Sequence, residues 1–311
     1  MSGMVFTAVL AVFALIVAGG LLRRRGVIDP AAEGTLLRLL VGFLTPCLIV
    51  DTVLGNPALA DPSNALLAPA IGLASIVVGI VAGLAVARVA RLARVEGNTF
   101  AYATALYNYG FIPIPLALAL FGKPTVGVLM VFNIGVEAGL WLFAGLMLSG
   151  EPALRGLRRA VNPPLVTLVV VLLLNAFAPG IVPGFVRKAS AISGAAAVPV
   201  ALLLSGAVLA DQVRGFFRLR GGRVIVLSCL LRLGLLPILF LWAARELPLA
   251  TELKRVLVLQ AAMPAAVFPV VLARLHDASP ETALRVLVAT TLAGLATIPL
   301  WLRFGLWWTG V

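Results

Sequence analysis

The sequence predicts an all-α integral membrane protein in which ten transmembrane helices form two inverted five-helix repeats. Of its 311 residues, 62% are hydrophobic and 12% are charged, whereas a soluble globular domain carries about 25% charged residues. A transmembrane helix needs about 20 apolar residues, and ten such runs fill most of the chain. Proline and amide residues also recur at matching places in the two halves. These observations leave no room for a soluble domain of ordinary size.

Ten apolar runs separated by polar breaks predict the ten spans, which we number in chain order. Each run is long enough for one helix, and the connectors between the runs are short. The predicted spans cover residues 4–22, 35–54, 65–89, 100–121, 125–149, 164–180, 186–210, 223–246, 252–275 and 280–308.

The net charge of +12 comes from Lys and Arg clusters between the apolar runs and not from one basic stripe. The connectors 1–2, 3–4, 5–6, 7–8 and 9–10 carry most of these residues, which is the pattern of cytoplasmic loops. We therefore expect a protein of the cytoplasmic (inner) membrane with both termini outside and no nucleic-acid partner. Cys47 and Cys229 lie inside apolar runs, so no disulfide is expected.

The two halves of the chain repeat their helix-breaking residues at a nearly constant offset. Five spans per half is an odd number, so the second half must enter the membrane upside down. Residues 1–160 and 161–311 are therefore predicted as inverted repeats within one membrane domain, an arrangement typical of transporters. The matched pairs are Pro46 and Pro199, Asn108 and Gln260, and Pro113 and Pro264, at offsets of 153, 152 and 151 residues.

Spans 4 and 9 carry prolines inside apolar runs, where each proline removes one helical hydrogen bond. In lipid the freed carbonyl groups need partners, so such breaks occur where the chain faces protein or a water-filled cavity. Each span is therefore expected to form two half-helices that meet near the bilayer midplane. The alternative is that both spans are kinked packing helices.

Proline suits the first turn of a helix, so the second half-helices are expected to begin at Pro113 and Pro264. Their free N–H groups and positive dipole ends would then point to the midplane. With Asn108 and Gln260 as neutral donors, this arrangement would hold a carboxylate. The predicted substrate-binding residues are Asn108, Gly110, Pro113, Pro115, Gln260, Met263 and Pro264.

Ionisable and polar residues within the spans predict a second kind of site. Glu137 lies near the middle of span 5, and Asn133 shares its helix face. Intramembrane carboxyl groups often couple transport to protons or cations. The alternative is a structural role, in which Glu137 is protonated or paired with Arg232 of span 8. The coupling or gating candidates are Glu137, Asn133, Arg232, Asp51, Pro46 and Pro199.

Several motifs resemble the auxin efflux carrier family, and together they extend over the whole chain. The short chain without a large central loop resembles the bacterial members more than the plant members. The motifs are Arg-Arg-Arg-Gly-Val-Ile-Asp at 23–29, Leu-Thr-Pro-Cys-Leu-Ile-Val at 44–50, Asn-Tyr-Gly-Phe-Ile-Pro-Ile-Pro-Leu at 108–116, Asn-Pro-Pro at 162–164, Pro-Val-Ala-Leu-Leu-Leu-Ser-Gly-Ala-Val-Leu at 199–209 and Ala-Met-Pro-Ala at 262–265.

The resemblance implies a ten-helix fold like that of the bile acid:sodium symporters and bacterial sodium/proton antiporters. In that fold spans 4 and 9 cross as broken helices between a panel and a core domain. Members of the family move organic anions such as auxin, malate or malonate, and plant members hold the carboxylate with asparagines beside the prolines. Asn108 matches that position, and Gln260 stands where the second asparagine is expected. Plant relatives also imply a homodimer.

We therefore expect a secondary transporter that moves a small organic anion across the lipid bilayer by alternating access, with protons as the candidate coupling ion. A cation/proton antiporter on the same fold is the alternative, and a membrane receptor is a more distant third. The single His276 lies in a predicted cytoplasmic loop, and the sequence shows neither a constellation of residues around a nucleophile nor a His/Cys/carboxylate metal spacing, so neither an enzyme nor a bound metal or cofactor is expected.

Overall fold

A computed structural model describes residues 2–61, 63–149, 160–178, 180–216 and 222–311. The described chain is helical, and its only pairing of extended segments is an isolated bridge between Tyr107 and Ala265. Arg155, Arg158 and Arg159 of connector 5–6 lie outside the described residues. The helices are α1 Ser2–Arg24, α2 Pro30–Val53, α3 Asn64–Val89, α4 Arg94–Ala105, α5 Pro113–Phe121, α6 Lys123–Leu148, α7 Pro163–Phe177, α8 Gly184–Phe216, α9 Gly222–Glu246, α10 Thr251–Ala261, α11 Phe268–Leu275 and α12 Pro280–Thr309.

Seven helices in the described part of the chain are long and apolar enough to cross a membrane: α1, α2, α3, α6, α8, α9 and α12. The shorter apolar helix α7 has 15 residues. Predicted span 4 consists of α4 and α5, and predicted span 9 consists of α10 and α11, each too short to cross alone. The multi-pass, all-helical prediction is therefore confirmed for the described residues, and both predicted helix breaks are present.

Several helices extend beyond the predicted apolar runs because their end turns are polar. α2 begins at Pro30, where the Asp29 side chain accepts a hydrogen bond from the Ala32 N–H at 2.7 Å. α4 begins at Arg94 with a polar first turn. Hydropathy detects only the apolar part of a helix, so the cap at Asp29 and not the apolar run marks the true start of α2.

The helices pack in two groups. One group contains α1, α2, α7 and α8, in which α8 contacts α1 and α2, and α2 contacts α7. Close approach of α1 and α8 requires glycine, because a Cβ on Gly206 would lie 1.9 Å from the carbonyl oxygen of Ile16. The other group contains α3–α6 and α9–α12, built on contacts of α3 with α4 and α6 and of α9 with α10 and α12.

α2 and α9 each contain a π turn immediately before a proline. In α2 the turn Leu40–Leu44 precedes Pro46, and in α9 the turn Leu231–Leu235 precedes Pro237. Proline has no N–H group, so the carbonyl four residues earlier loses its helical partner. At Pro237 that carbonyl belongs to Leu233, and the indole N–H of Trp301 donates to it at 2.7 Å. A side chain of α12 thus completes the interrupted helix α9.

Candidate substrate site at the crossing of two broken helices

The breaks at residues 106–112 and 262–267 cross as a short antiparallel pair. The N–H of Asn108 donates to the carbonyl of Pro264 at 2.8 Å, and the N–H of Ala266 donates to the carbonyl of Leu106 at 2.9 Å. Tyr107 and Ala265 face each other between these two bonds. Each break thus supplies backbone partners to the other, which the membrane interior cannot supply.

The first break ends at Pro113, where α5 begins as the sequence predicts. The expected free N–H groups are not found there, because Pro113 and Pro115 have none. The N–H of Ile112 donates to the Asn108 side-chain oxygen at 3.2 Å, and that of Ile114 donates to the Gly110 carbonyl at 3.1 Å. The start of α5 therefore offers an anion little beyond its dipole.

The second break differs from the prediction, because its helix resumes at Phe268 and not at Pro264. Proline disfavours a helical conformation in the residue before it, so no helix begins at Pro264, and residues 264–266 pair with the first break. Pro269 instead occupies the first turn of α11. Within the described residues, the N–H groups of Val267 and Phe268 have no hydrogen-bond partner. The start of α11 thus keeps free donors.

A cavity of about 250 Å³ lies against the crossing, bordered by both breaks, the first turns of α5 and α11, and helices α2, α6, α7 and α8. Its walls are mostly apolar, and no Lys or Arg is among these described lining residues. Three of the predicted substrate-binding residues border it, namely Asn108, Gly110 and Pro115, as do the coupling candidates Asn133 and Glu137. The other predicted substrate-binding residues are buried and do not line it: Pro113, Gln260, Met263 and Pro264. The polar side chains on the cavity are Thr45, Asn108, Tyr109, Asn133, Glu137 and Asn162.

Asn133 and Gln260 converge on one carbonyl group of the first break. The Asn133 amide donates to the Tyr109 carbonyl at 2.9 Å. The fully buried Gln260 amide donates to the same carbonyl at 3.3 Å and to the Asn133 side-chain oxygen at 3.4 Å. Gln260 therefore holds the shape of the crossing and does not face the cavity, so the two amide positions predicted as a pair have different surroundings.

Glu137 bonds to the start of α7. The Asn162 amide donates to the Glu137 carboxyl at 2.5 Å, and the Asn162 side-chain oxygen accepts from the Leu165 N–H at 2.9 Å. Asn162 therefore caps α7 and contacts Glu137 at the same time. Because α6 and α7 belong to different helix groups, this hydrogen bond joins the two groups at the cavity.

Arg232 is fully buried in α9 and contacts both breaks. Its guanidinium donates to the carbonyls of Met263 at 2.8 Å and Gln260 at 2.7 Å. It also lies over the ring of Tyr107, 4.5 Å from the centroid. The alternative that pairs Arg232 with Glu137 is wrong for this conformation, since each side chain has other partners.

The remaining gating candidates are not among the residues that line the cavity. Asp51 accepts a hydrogen bond from Lys123 at 2.8 Å, an ion pair that joins the end of α2 to the start of α6. Pro46 follows the π turn of α2, and Pro199 lies inside α8, beside the cavity residue Val198.

Two residues of this region were not predicted as site residues. Asn162 precedes Pro163 and Pro164, and an Asn-Pro-Pro run is a helix-start signal that predicts a cap but gives no hint of the contact with Glu137. Thr290 of α12 accepts the Ala265 N–H at 3.1 Å through its hydroxyl, and no sequence signal distinguishes it from other threonines in the spans.

Comparisons with known proteins agree with this architecture. The sequence profile described as membrane transport protein matches residues 4–154 and 153–302. An uncharacterized transporter of Methanothermobacter thermautotrophicus is 27% identical over 94% of this chain and 96% of its own length. The uncharacterized transporter MJ1031 of Methanocaldococcus jannaschii is 24% identical over the same shares. These proteins are membrane transporters and not enzymes, and the resemblance to the auxin efflux carriers is confirmed at the level of the family. The chain therefore belongs to the membrane transport protein family.

Proposed function

We propose that this protein is a secondary active transporter that moves a small organic anion across the cytoplasmic membrane by alternating access. The group of α1, α2, α7 and α8 is the panel, and the remaining helices form the core that moves against it. α4 with α5 and α10 with α11 each count as one crossing, which gives ten crossings in two inverted repeats with both termini outside. By likeness to plant relatives, the unit is a homodimer.

The observation that carries the proposal is the set of free donors where the crossing meets the cavity. The Asn108 side-chain N–H₂ has no partner within the described residues and borders the cavity. Val267 and Phe268, whose N–H groups are free, border the same cavity at the positive end of α11. Three uncharged donors and a helix N-terminus suit a carboxylate without a fixed positive charge.

The cavity favours a small acid with an apolar body. Its walls are mostly aliphatic and aromatic, and its volume of about 250 Å³ is below the range of sites for drug-sized ligands. The candidate acids are malate, malonate and an auxin-like acid. The apolar walls favour the last, because they cannot satisfy the second carboxylate of a dicarboxylic acid.

Protons are the proposed coupling ion, because Glu137 is the one carboxyl group among the cavity-lining residues. An ionised Glu137 would repel a bound carboxylate in a medium with little screening. Protonation of Glu137 removes this repulsion, so one proton would accompany each anion. A cation/proton antiporter on the same fold is less favoured, because a single carboxyl group on the cavity gives a cation few ligands. No observation favours a receptor.

Uptake into proteoliposomes tests the proposal. Purified protein would be given labelled malonate, malate or indole-3-acetate, with and without an inside-alkaline pH gradient, and liposomes without protein would correct for passive entry of the neutral acid. We expect saturable uptake of one acid that exceeds the passive rate and increases with the gradient. Folded, inserted protein that gives no saturable flux of any of the three acids would contradict the anion-transport proposal. Saturable flux indifferent to the gradient would contradict proton coupling alone.

A further inference from the structure

Arg232 is a buried cation that no carboxylate neutralises within the described residues. Its contacts are the carbonyls of Gln260 and Met263 and the faces of the Tyr107 and Phe240 rings, with centroids at 4.5 and 5.4 Å. Its Nη1 atom has no hydrogen-bond partner in the described chain. Arginine keeps its proton in proteins, so a full positive charge lies where the two breaks cross.

Of the two carbonyls that Arg232 binds, that of Gln260 lies in the last turn of α10 and that of Met263 lies in the second break. A helix C-terminus is the negative end of the helix dipole, and it would otherwise point its last carbonyls into the crossing. Arg232 binds the Gln260 carbonyl of this end and the Met263 carbonyl two residues beyond it, and its charge opposes the helix dipole. The ring of Tyr107, the residue next to Asn108, is held against the same guanidinium, and the Tyr107 hydroxyl lies 2.8 Å from that of Ser75 in α3. One side chain thus contacts both breaks.

We propose that Arg232 is a positioning residue that makes the crossing attractive to anions. It does not border the cavity, so it acts through the crossing and not by touching the substrate. Its charge cancels the negative end of α10 and leaves the positive end of α11 and the Asn108 amide to act on a carboxylate. This inference rests on the proposed anion site, but the electrostatic field that it describes exists with or without transport.

The field can be measured by charge-selective cysteine labelling. In the full-length protein with Cys47→Ser and Cys229→Ser, Asn108→Cys places a thiol on the cavity beside the crossing. Its rates of modification by negatively charged sulfonatoethyl and positively charged trimethylammonioethyl methanethiosulfonate give a ratio that reports the local potential. Leu165→Cys, on the same cavity beside Asn162, is the matched control position.

Arg232→Gln is expected to lower the anion-to-cation rate ratio at position 108 by roughly tenfold, as expected for a unit charge acting over side-chain distances at intermediate dielectric. The ratio at position 165 should change less than twofold. An unchanged ratio at position 108, or an equal fall at both positions, would overturn the inference. Because labelling requires no substrate, this result is independent of the failure or success of the uptake experiment.

Arg232→Lys keeps the test decisive if Arg232→Gln does not fold. Lysine retains the charge but cannot bond both carbonyls with the spacing of a guanidinium. We expect the ratio at position 108 to stay within about twofold of the parent, while the melting temperature in detergent falls. A fall in the ratio as large as that expected for the neutral variant would show that charge is not the cause and would overturn the inference.

Discussion

The backbone N–H of Asn108 donates to the carbonyl of Pro264, 2.8 Å away, and thereby joins the two broken helices. The reciprocal bond from Ala266 to Leu106 closes the pair. Backbone groups in the membrane interior must find their hydrogen-bond partners within the protein. Separating the two breaks would leave these carbonyls and N–H groups unpaired, so the breaks must move as one body. The amide that we assign to substrate binding therefore lies on a segment that is hydrogen-bonded to the other break.

Asn108→Ala should raise the KM for the transported acid about tenfold, because it removes a donor to a charged group. The Ile112 N–H loses its side-chain acceptor, but the Asn108 backbone bond to Pro264 remains, so the fold should be preserved. The measurement is concentration-dependent uptake into proteoliposomes. Asn98→Ala is the matched control, since the Asn98 amide contacts the Met147 carbonyl far from the crossing. An unchanged KM in Asn108→Ala would remove Asn108 from the site.

Glu137→Gln should abolish the response of uptake to an inside-alkaline gradient and leave uptake without a gradient measurable. Glutamine preserves an acceptor for the Asn162 amide but cannot exchange a proton. Accumulation of the labelled acid over a range of external pH values provides the measurement. Glu281→Gln, an exposed residue paired with Arg285, is the control. Gradient-driven accumulation at the parental level would exclude Glu137 as the coupling residue.

Asp51→Asn should shift the balance between the inward and outward conformations. The ion pair of Asp51 with Lys123 joins the two helix groups and is partly exposed, so its contribution is at most about 1 kcal/mol. We expect a change in turnover of up to about fivefold with little change in KM. Lys123→Asp combined with Asp51→Lys should return turnover toward the parental value. If the reversed pair behaves like the single variant, the ion pair has no gating role.

Thr290→Val should lower the stability of the crossing by about 1–3 kcal/mol, because it leaves the buried N–H of Ala265 without its acceptor. Thermal unfolding in detergent measures the effect. Thr167→Val is the control. It removes a hydrogen bond from a threonine hydroxyl to a carbonyl within α7, at an exposed position, and should change stability little. Equal shifts in the two variants would mean that the bond to Ala265 adds nothing.

Gly206→Ala should destabilise the contact between α1 and α8 by about 1–3 kcal/mol, because the added methyl group would overlap the Ile16 carbonyl. Gly42→Ala is the control, since a Cβ at that position meets no atom within 4 Å. Yield and melting temperature of the two variants give the comparison. A Gly206→Ala protein as stable as the Gly42→Ala protein would show that the helices can separate without cost.

Sequence patterns located the helices and the two breaks because both follow from local chemistry. The span boundaries follow from apolar runs, and the start of α5 follows from the fixed geometry of Pro113. The start of α11 was misplaced because a proline can equally hold a chain extended, and the choice at Pro264 is made by pairing with the other break. That pairing is a tertiary contact that no local pattern contains.

The partners of polar side chains were harder to predict than their positions. Glu137 and Arg232 both lie near the middle of their predicted spans, but depth in the membrane does not determine which way a side chain points. Arg232 turns to the Gln260 carbonyl at the end of α10, and Glu137 turns to Asn162, the cap of α7. Both partners lie at helix ends, whose positions become known only when the helices are packed.

The π turn at Leu40–Leu44 divides α2 into two rotational registers. A π turn accommodates one residue more than the surrounding helix, and each residue of an α-helix advances the direction of its side chain by about 100°. Residues before Leu40 and after Thr45 therefore do not continue a single helical wheel. A scan of labelling along α2 should show two periodic patterns out of phase by about that angle, and a single wheel drawn through Pro30–Val53 would assign half of its residues to the wrong neighbour.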